Sequence, residues 1–152
     1  MGKLIPDQAA ADQKYMNMAL QMARRGLGQV APNPAVGCVL VKGDIVVGRG
    51  WTQKGGRPHA EVVALRQAGE AAKDATAYVT LEPCSHHGKT PPCAEALIEA
   101  GIKRVVVALT DPDERVNGRG IQILEEAGIE VISDILEPEA LDANLGFILN
   151  RT

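Results

Sequence analysis

The chain has 152 residues, the size of one domain, and 45% of them are hydrophobic while 23% are charged. This balance allows a sizeable core and excludes global disorder. The net charge of −3 and the aromatic content of 3% disfavour binding to nucleic acid, which needs basic side chains and stacking rings. The sequence contains neither a secretory signal nor an apolar run approaching the ~18 residues of a membrane span, so we expect a cytoplasmic protein without a membrane partner.

Helix and strand signals alternate along the chain. In order, the pattern predicts a helix over Asp12 to Gly26, strands over Val36 to Val41 and Ile45 to Val47, a helix over Ala60 to Ala68, a strand over Ala75 to Leu81, a helix over Cys93 to Ala100, a strand over Arg104 to Leu109, a helix over Gly120 to Ala127, a strand over Ile129 to Ile132 and a helix over Glu139 to Leu149. This alternation indicates one α/β domain over residues 1–152, with three α/β/α layers around a mixed, mostly parallel five-stranded sheet.

The stretch from His59 to Cys93 holds the residues best suited to chemistry. His59 stands at the start of a predicted helix, Cys84 follows a predicted strand, and Cys93 begins the next helix. Taken singly, a histidine at a helix start is commonly structural and a buried thiol is commonly inert. Together, one histidine and two cysteines match a tetrahedral zinc site that keeps one position open for water. The odd count of three cysteines argues against a disulfide framework.

Glu61 completes this arrangement. It follows His59 by two residues, so it can face the open position without being a ligand itself. A carboxylate placed there can take a proton from the attacking water and deliver it to a leaving nitrogen. The pattern therefore favours a catalytic zinc site over a structural one.

The same residues carry a family resemblance. His59-Ala60-Glu61 followed by Pro83-Cys84 and Cys93 resembles the signature of the zinc-dependent cytidine deaminase superfamily. The two cysteines are separated by eight residues, and this longer form is similar to the deaminase domain of the bifunctional riboflavin-biosynthesis deaminase–reductase. The resemblance extends from about Asp12 to Phe147 and includes further segments: Tyr15-Met16, Pro32 to Gly37, Gly48 to Trp51, Tyr78 to Glu82, and Asp111-Pro112.

The resemblance implies a cytidine-deaminase-like fold and a defined reaction. The substrate in that family is 2,5-diamino-6-(5-phosphoribosylamino)pyrimidin-4(3H)-one, which is deaminated hydrolytically to the 5-aminouracil product plus ammonia in riboflavin biosynthesis. His59, Cys84 and Cys93 match the ligands of one zinc ion per chain, and Glu61 matches the catalytic proton shuttle. The resemblance also implies a homodimer or a homotetramer that binds a small, nucleotide-like substrate.

Three further residues match the substrate side of the family's site. Asn33, in a Pro-Asn-Pro turn, matches a residue that contacts the substrate ring or ribose. Lys89, in the insert between the two cysteines, matches a cation near the sugar phosphate, and Asp111 matches a polar residue of the pocket rim. We expect these three side chains to bind substrate.

The chain departs from the family on this substrate side. Thr52 stands where the family usually has a histidine that helps to bind substrate. Asp113 stands where the family has an asparagine, and Glu114 follows it. Both acidic residues would repel a phosphate if they faced it. The machinery for deamination is thus kept, and we expect Thr52 and Asp113 to be substrate-binding residues on an altered side of the site.

Alternatives to this reaction follow from the departures. One is a deaminase of a different amino-pyrimidine or amino-purine heterocycle. A tRNA adenosine deaminase is opposed by the net charge, and a non-catalytic protein with a structural zinc would need Cys38 or His86 as a fourth ligand. Cys38 otherwise reads as a small apolar core residue, and His86 and His87 as loop histidines. The chain shows no reductase domain, so we expect a stand-alone deaminase or a domain excised from a longer protein.

Overall fold

The computed structural model describes residues 6–25, 36–52, 59–80, 93–108 and 119–133. In this part of the chain the elements are α1 (Pro6–Arg25), β1 (Gly37–Lys42), β2 (Ile45–Trp51), α2 (Ala60–Ala68), a 3₁₀ helix (Gly69–Ala72), β3 (Thr76–Val79), α3 (Cys93–Glu99), β4 (Arg104–Val107), α4 (Arg119–Glu126) and β5 (Glu130–Ile132). Among these described helices, none combines the length and apolar character needed to cross a membrane.

The five strands form one sheet in the order β2-β1-β3-β4-β5. Strand β1 is antiparallel to both of its neighbours, whereas β3, β4 and β5 are parallel to one another. Hence β1 alone runs against the other four strands, and the predicted mixed, mostly parallel sheet is confirmed. The reversal of β1 follows from its tight hairpin to β2, in which Gly43 adopts a φ of 63° that favours glycine.

The two faces of the sheet are covered by different helices. Alternate residues of β1 point to opposite sides, as the pleat requires. Val39 and Val41 pack with the buried face of α1, while Cys38 and Leu40 belong to the apolar cluster under α2, α3 and α4. The predicted three-layer α/β/α arrangement is therefore confirmed.

The bounds of some elements differ from the sequence predictions. Helix α1 begins at Pro6, before the predicted start at Asp12, because proline is favoured in the first turn and the alanines that follow have high helix propensity. Strand β2 continues past Val47 to Trp51, through two glycines that the pattern did not assign to a strand. The predicted helix over Glu139 to Leu149 lies outside the described residues.

A buried ion pair joins α1 to the first residue of β4. Both terminal nitrogens of Arg104 donate to the carboxylate of Asp12, Nη1 to Oδ1 at 2.9 Å and Nη2 to Oδ2 at 2.7 Å. The hydroxyl of Tyr78 donates to the same Oδ1 at 2.6 Å, and Gln8 donates to it at 3.0 Å. The Asp12 side chain is 1% exposed, so its charge is compensated by these donors rather than by water.

Replacing Arg104 by methionine should strongly destabilise the fold. The variant would leave the Asp12 charge buried without its partner, which costs about 3–5 kcal/mol of unfolding free energy. The matched control is Glu130→Gln, because Glu130 meets the Arg104 Nε at 3.4 Å but has a side chain that is 65% exposed. That change should cost about 1 kcal/mol or less. Urea unfolding measures both, and equal losses in the two variants would contradict the assignment.

Stability should also fall with acid through Asp12. Burial raises the pKa of this carboxyl, but the hydrogen bonds from Arg104 and Tyr78 together with the charge of Arg104 lower it by more, so its net pKa lies below the usual value. The resulting stabilisation is complete above the unfolded-state pKa of about 3.9 and is lost as the pH falls through the lower folded-state pKa. Unfolding free energies measured from about pH 6 to pH 3 should decline less steeply in Asp12→Asn than in the unmodified chain. Identical slopes would refute this role.

Candidate active site

The start of α2 and the start of α3 lie at the same edge of the sheet. Strands β2, β3 and β4 point in one direction, so each connecting helix must return the chain from the carboxyl ends of the strands to the opposite edge. His59 immediately precedes α2, and Cys93 is the first residue of α3. Ligand sites of open α/β sheets form at the carboxyl ends of strands, so this edge is the candidate active site.

Two glycines of β2 allow α2 to lie directly on the sheet. A β-carbon at Gly48 would overlap the carbonyl oxygen of Ala64, and one at Gly50 would lie 2.7 Å from the β-carbon of Val63 and 3.0 Å from the carbonyl oxygen of Ala60. Any side chain at these positions would push the helix outward. The order of these contacts places the first turn of α2 beside the end of β2, where the candidate site lies.

His59 occupies the N-cap position of α2. Its backbone is extended, with φ −70° and ψ 160°, and its carbonyl oxygen accepts the first helical hydrogen bond from the N–H of Val63 at 3.1 Å. The side chain is half-buried. The imidazole is thereby held at the positive end of the helix dipole, where an anionic or electron-rich partner is stabilised.

Glu61 is a buried carboxylate in the first turn of α2. The residue is only 3% exposed. Burying a charged carboxylate is costly, and such residues in a concave region are commonly functional. Burial raises the pKa of the Cys38 thiol, and the charge of Glu61 raises it further.

Cys38 is a core residue on the sheet side of the candidate site. It is fully buried in the apolar cluster that also holds Ala60 and Ala94, the residues next to His59 and Cys93. The prediction that Cys38 packs as a small apolar side chain is confirmed. The shared cluster also shows that the first turns of α2 and α3 pack on the same core.

The described residues include only part of the predicted site. His59, Glu61 and Thr52 are described in full, and Cys93 is placed by its backbone at the start of α3. The remaining predicted site residues lie outside the described residues: Asn33, Cys84, Lys89, Asp111 and Asp113. Their assignments, and the substrate contact assigned to Thr52, stay predictions.

Thr80 is a buried residue of this edge to which the sequence assigned no role. It follows β3 directly, is fully buried, and its hydroxyl oxygen accepts a hydrogen bond from the N–H of Gly37 at 3.0 Å. A polar residue immediately after an apolar strand was the one signal available, and it is a weak one because threonine is common in strands.

Comparison with known proteins identifies the family. A family model described as the cytidine and deoxycytidylate deaminase zinc-binding region matches residues 9–109. The chain belongs to this family of zinc-binding deaminases. It is a hydrolytic deaminase, and its cofactor is zinc. The predicted resemblance to the deaminase of riboflavin biosynthesis is confirmed as well.

Individual relatives lie on the riboflavin branch. The chain is 56% identical over 137 residues to riboflavin biosynthesis protein RibD of Escherichia coli, covering 90% of this chain and 37% of that protein. It is 50% identical over 133 residues to the diaminohydroxyphosphoribosylamino-pyrimidine deaminase of Buchnera aphidicola, covering 88% of this chain and 90% of that one. A solved structure of Acinetobacter baumannii RibD superimposes with a TM-score of 0.91 at 56% identity, covering 93% of this chain and 40% of that chain. The chain thus spans well under half the length of the RibD proteins that it matches.

His59 and Cys93 at this edge fit a zinc ion, and Cys84, which lies outside the described residues, would complete the donor set. An imidazole and two thiols are the nitrogen and sulfur donors that zinc prefers. His59 and Cys93 begin two helices that pack on one core, and the buried carboxylate of Glu61 follows His59 by two residues. This donor set leaves a coordination position for water, as catalytic rather than structural zinc sites do.

A side chain at Gly48 should weaken the fold and the metal site together. In Gly48→Ala the new β-carbon meets a backbone carbonyl that cannot rotate away, so α2 must move, and we expect a loss of about 1–3 kcal/mol. Because His59 begins this helix, the zinc content of the purified protein should also fall. The control is Gly43→Ala in the hairpin turn, where a β-carbon meets nothing within 4 Å but the positive φ is strained. It should cost stability without loss of zinc. A Gly48→Ala protein with the stability and zinc content of the unmodified chain would contradict the packing argument.

Proposed function

We propose that this chain deaminates 2,5-diamino-6-(5-phosphoribosylamino)pyrimidin-4(3H)-one in riboflavin biosynthesis. The observation that carries the proposal is the buried carboxylate of Glu61, two residues after His59 at the carboxyl edge of the sheet. The name of the Buchnera relative supports the substrate, since that protein and this chain match over nearly the whole length of both.

His59, Cys84 and Cys93 are the residues that would hold the zinc ion. When bound, zinc supplies the Lewis acidity that makes a water molecule reactive near neutral pH. We propose one ion per chain and treat residues 1–152 as a single deaminase domain.

Glu61 moves the proton in the proposed reaction. The oxygen of water forms a bond to the ring carbon that carries the 2-amino group, the π bond from this carbon to its ring nitrogen opens, and Glu61 takes a proton from that water. Glu61 then delivers the proton to the departing nitrogen, the bond from the ring carbon to this nitrogen breaks as the ring π bond re-forms, and ammonia leaves. The proton of the new ring hydroxyl moves to the ring nitrogen, which gives the carbonyl of the product. The burial of Glu61 supports this role, because a carboxylate removed from bulk water exchanges its proton with the reacting atoms rather than with solvent.

The substrate is held by a second group of residues in this proposal. Asn33 binds the polar edge of the ring or ribose, Lys89 binds the sugar phosphate, and Asp111 lies at the pocket rim. Thr52 and Asp113 belong to the same side of the site. We further propose a homodimer or homotetramer located in the cytoplasm.

A second candidate is the deamination of a different amino-heterocycle. Thr52 favours it, because this position lacks the histidine that the family uses toward substrate and its hydroxyl oxygen accepts a hydrogen bond from the backbone of Val36 at 3.3 Å. Steady-state rates with the phosphorylated and the dephosphorylated diaminopyrimidine nucleosides distinguish the two candidates. A strong preference for the phosphorylated compound would exclude the second.

Glu61→Gln should abolish most of the activity while leaving the metal in place. Glutamine keeps the shape of the side chain but cannot carry the proton, and general acid–base catalysis is typically worth about 10²–10⁴ in rate. Ammonia release from the phosphorylated diaminopyrimidinone should fall by that factor, with about one zinc per chain retained as expected for a site with three protein ligands.

The matched control is Glu70→Gln, which makes the same chemical change at an exposed residue of the 3₁₀ helix. It should leave both the rate and the zinc content unchanged. Full activity in Glu61→Gln would overturn the assigned role. An inactive but zinc-loaded unmodified protein would move the proposal to the second candidate.

A further inference from the structure

We infer that Thr52 and Thr80 are positioning residues, which hold the start of β1 so that the segment carrying Asn33 can bind substrate. We call the two side chains, together with the backbone of Val36 and Gly37, the threonine clasp. The inference rests on the proposed function for its substrate, but the clasp itself is a feature of the described residues. Neither threonine is assigned contact with reacting atoms.

The clasp engages every polar backbone atom of two consecutive residues. The N–H of Val36 donates to Thr52 Oγ1 at 3.3 Å, and the N–H of Thr52 donates to the Val36 carbonyl oxygen at 3.0 Å. In the same way the N–H of Gly37 donates to Thr80 Oγ1 at 3.0 Å, and the N–H of Thr80 donates to the Gly37 carbonyl oxygen at 3.1 Å. Each threonine thus forms a pair of hydrogen bonds with one residue at the start of β1: Thr52 with Val36, which immediately precedes the strand, and Thr80 with Gly37, its first residue.

Both threonines are buried; the hydrogen bond to Thr80 is buried with its residue, and the one to Thr52 is partly buried. Thr52 is 3% exposed and Thr80 is 0% exposed. Valine has the same branched shape and would pack equally well at the end of a strand. Valine lacks the hydroxyl oxygen, so the backbone N–H of Val36 or of Gly37 would lose its hydrogen-bond acceptor. The hydroxyl therefore has a purpose that packing alone does not supply.

Helix α1 packs against the start of β1 from one face of the sheet. A β-carbon at Gly37 would overlap the carbonyl oxygen of Ala19 and lie 2.7 Å from the backbone nitrogen of Ala23. The start of β1 is consequently fixed by two neighbouring strand ends and by a helix. A backbone position that is held from several sides in this way has little freedom to move.

Three residues of the proposed site are close to the threonine clasp in sequence. Asn33 precedes Val36 by three residues, His59 follows Thr52 by seven, and Cys84 follows Thr80 by four. The clasp is therefore close in sequence to the proposed substrate-binding residue and to two proposed zinc ligands. Because the turn of Asn33 is the segment nearest to it in sequence, loosening the clasp should affect substrate binding first.

Valine substitutions test the inference. In Thr52→Val and in Thr80→Val we expect KM for the phosphorylated diaminopyrimidinone to rise about tenfold while kcat changes less than about threefold, as for loss of substrate positioning. Zinc content should stay at about one per chain, as a three-ligand site requires. Thr52→Ser and Thr80→Ser keep the hydroxyl and should restore KM to within about twofold of the unmodified value.

The matched control is Thr76→Val, the same change at the first residue of β3, on the opposite edge of the sheet. It should leave KM unchanged. An unchanged KM in both clasp variants would overturn the inference. So would a rise in KM that serine fails to rescue, or an equal rise in Thr76→Val, since either would indicate general loosening of the sheet.

Hydrogen exchange tests the clasp without any substrate. In the unmodified protein the amides of Val36 and Gly37 should be strongly protected, and the valine variants should speed exchange at the amide that lost its acceptor. Fast exchange of these amides in the unmodified protein would overturn the inference even if a variant failed to fold. If the unmodified protein does not turn over the proposed substrate, the proposed function fails, while the exchange data still decide whether the clasp exists.

Discussion

The direction of the strands is the constraint on which the candidate site depends. Since β2, β3 and β4 all point to one edge, the connecting helices α2 and α3 must both begin at that edge. His59 and Cys93 are therefore brought to one edge by topology, although they are far apart in sequence. Because two glycines of β2 let α2 pack closely on the sheet, the first turn of that helix lies near the strand ends.

Among the described residues two carboxylates are buried, and they lie toward opposite edges of the sheet. Asp12 receives both nitrogens of Arg104, the first residue of β4, at the amino edge of the parallel strands. Glu61 lies at the carboxyl edge, in the first turn of α2 and two residues after His59. A carboxylate neutralised by a bidentate arginine contributes to stability and has no proton to exchange near neutral pH. Of these two carboxylates, Glu61 is the one at the edge of the candidate site, which supports its proposed role in proton transfer.

The sequence predicts the layers and the sheet well, because apolar strands and glycine helix ends are local signals. Long-range partners are not local. Asp12 and Arg104 are separated by 92 positions, and each alone looks like an ordinary charged residue of an amphipathic element. The early start of α1 was missed for a related reason, since residues before Asp12 show no apolar period and are helical through propensity. His59 and Glu61 were found because a short motif with a chemical reason places both in one turn.

Thr52 illustrates how a single position can be read in two ways. The resemblance to the riboflavin-biosynthesis deaminases implies that it replaces a histidine, which predicts an altered substrate. In the fold, its buried hydroxyl accepts a hydrogen bond from Val36, and Thr80 does the same for Gly37. A side chain whose oxygen is engaged by the backbone cannot also offer that lone pair to a ligand at full strength. In our proposal the hydroxyl of Thr52 therefore anchors the start of β1, and substrate binding at this side of the site depends on how firmly that start is held.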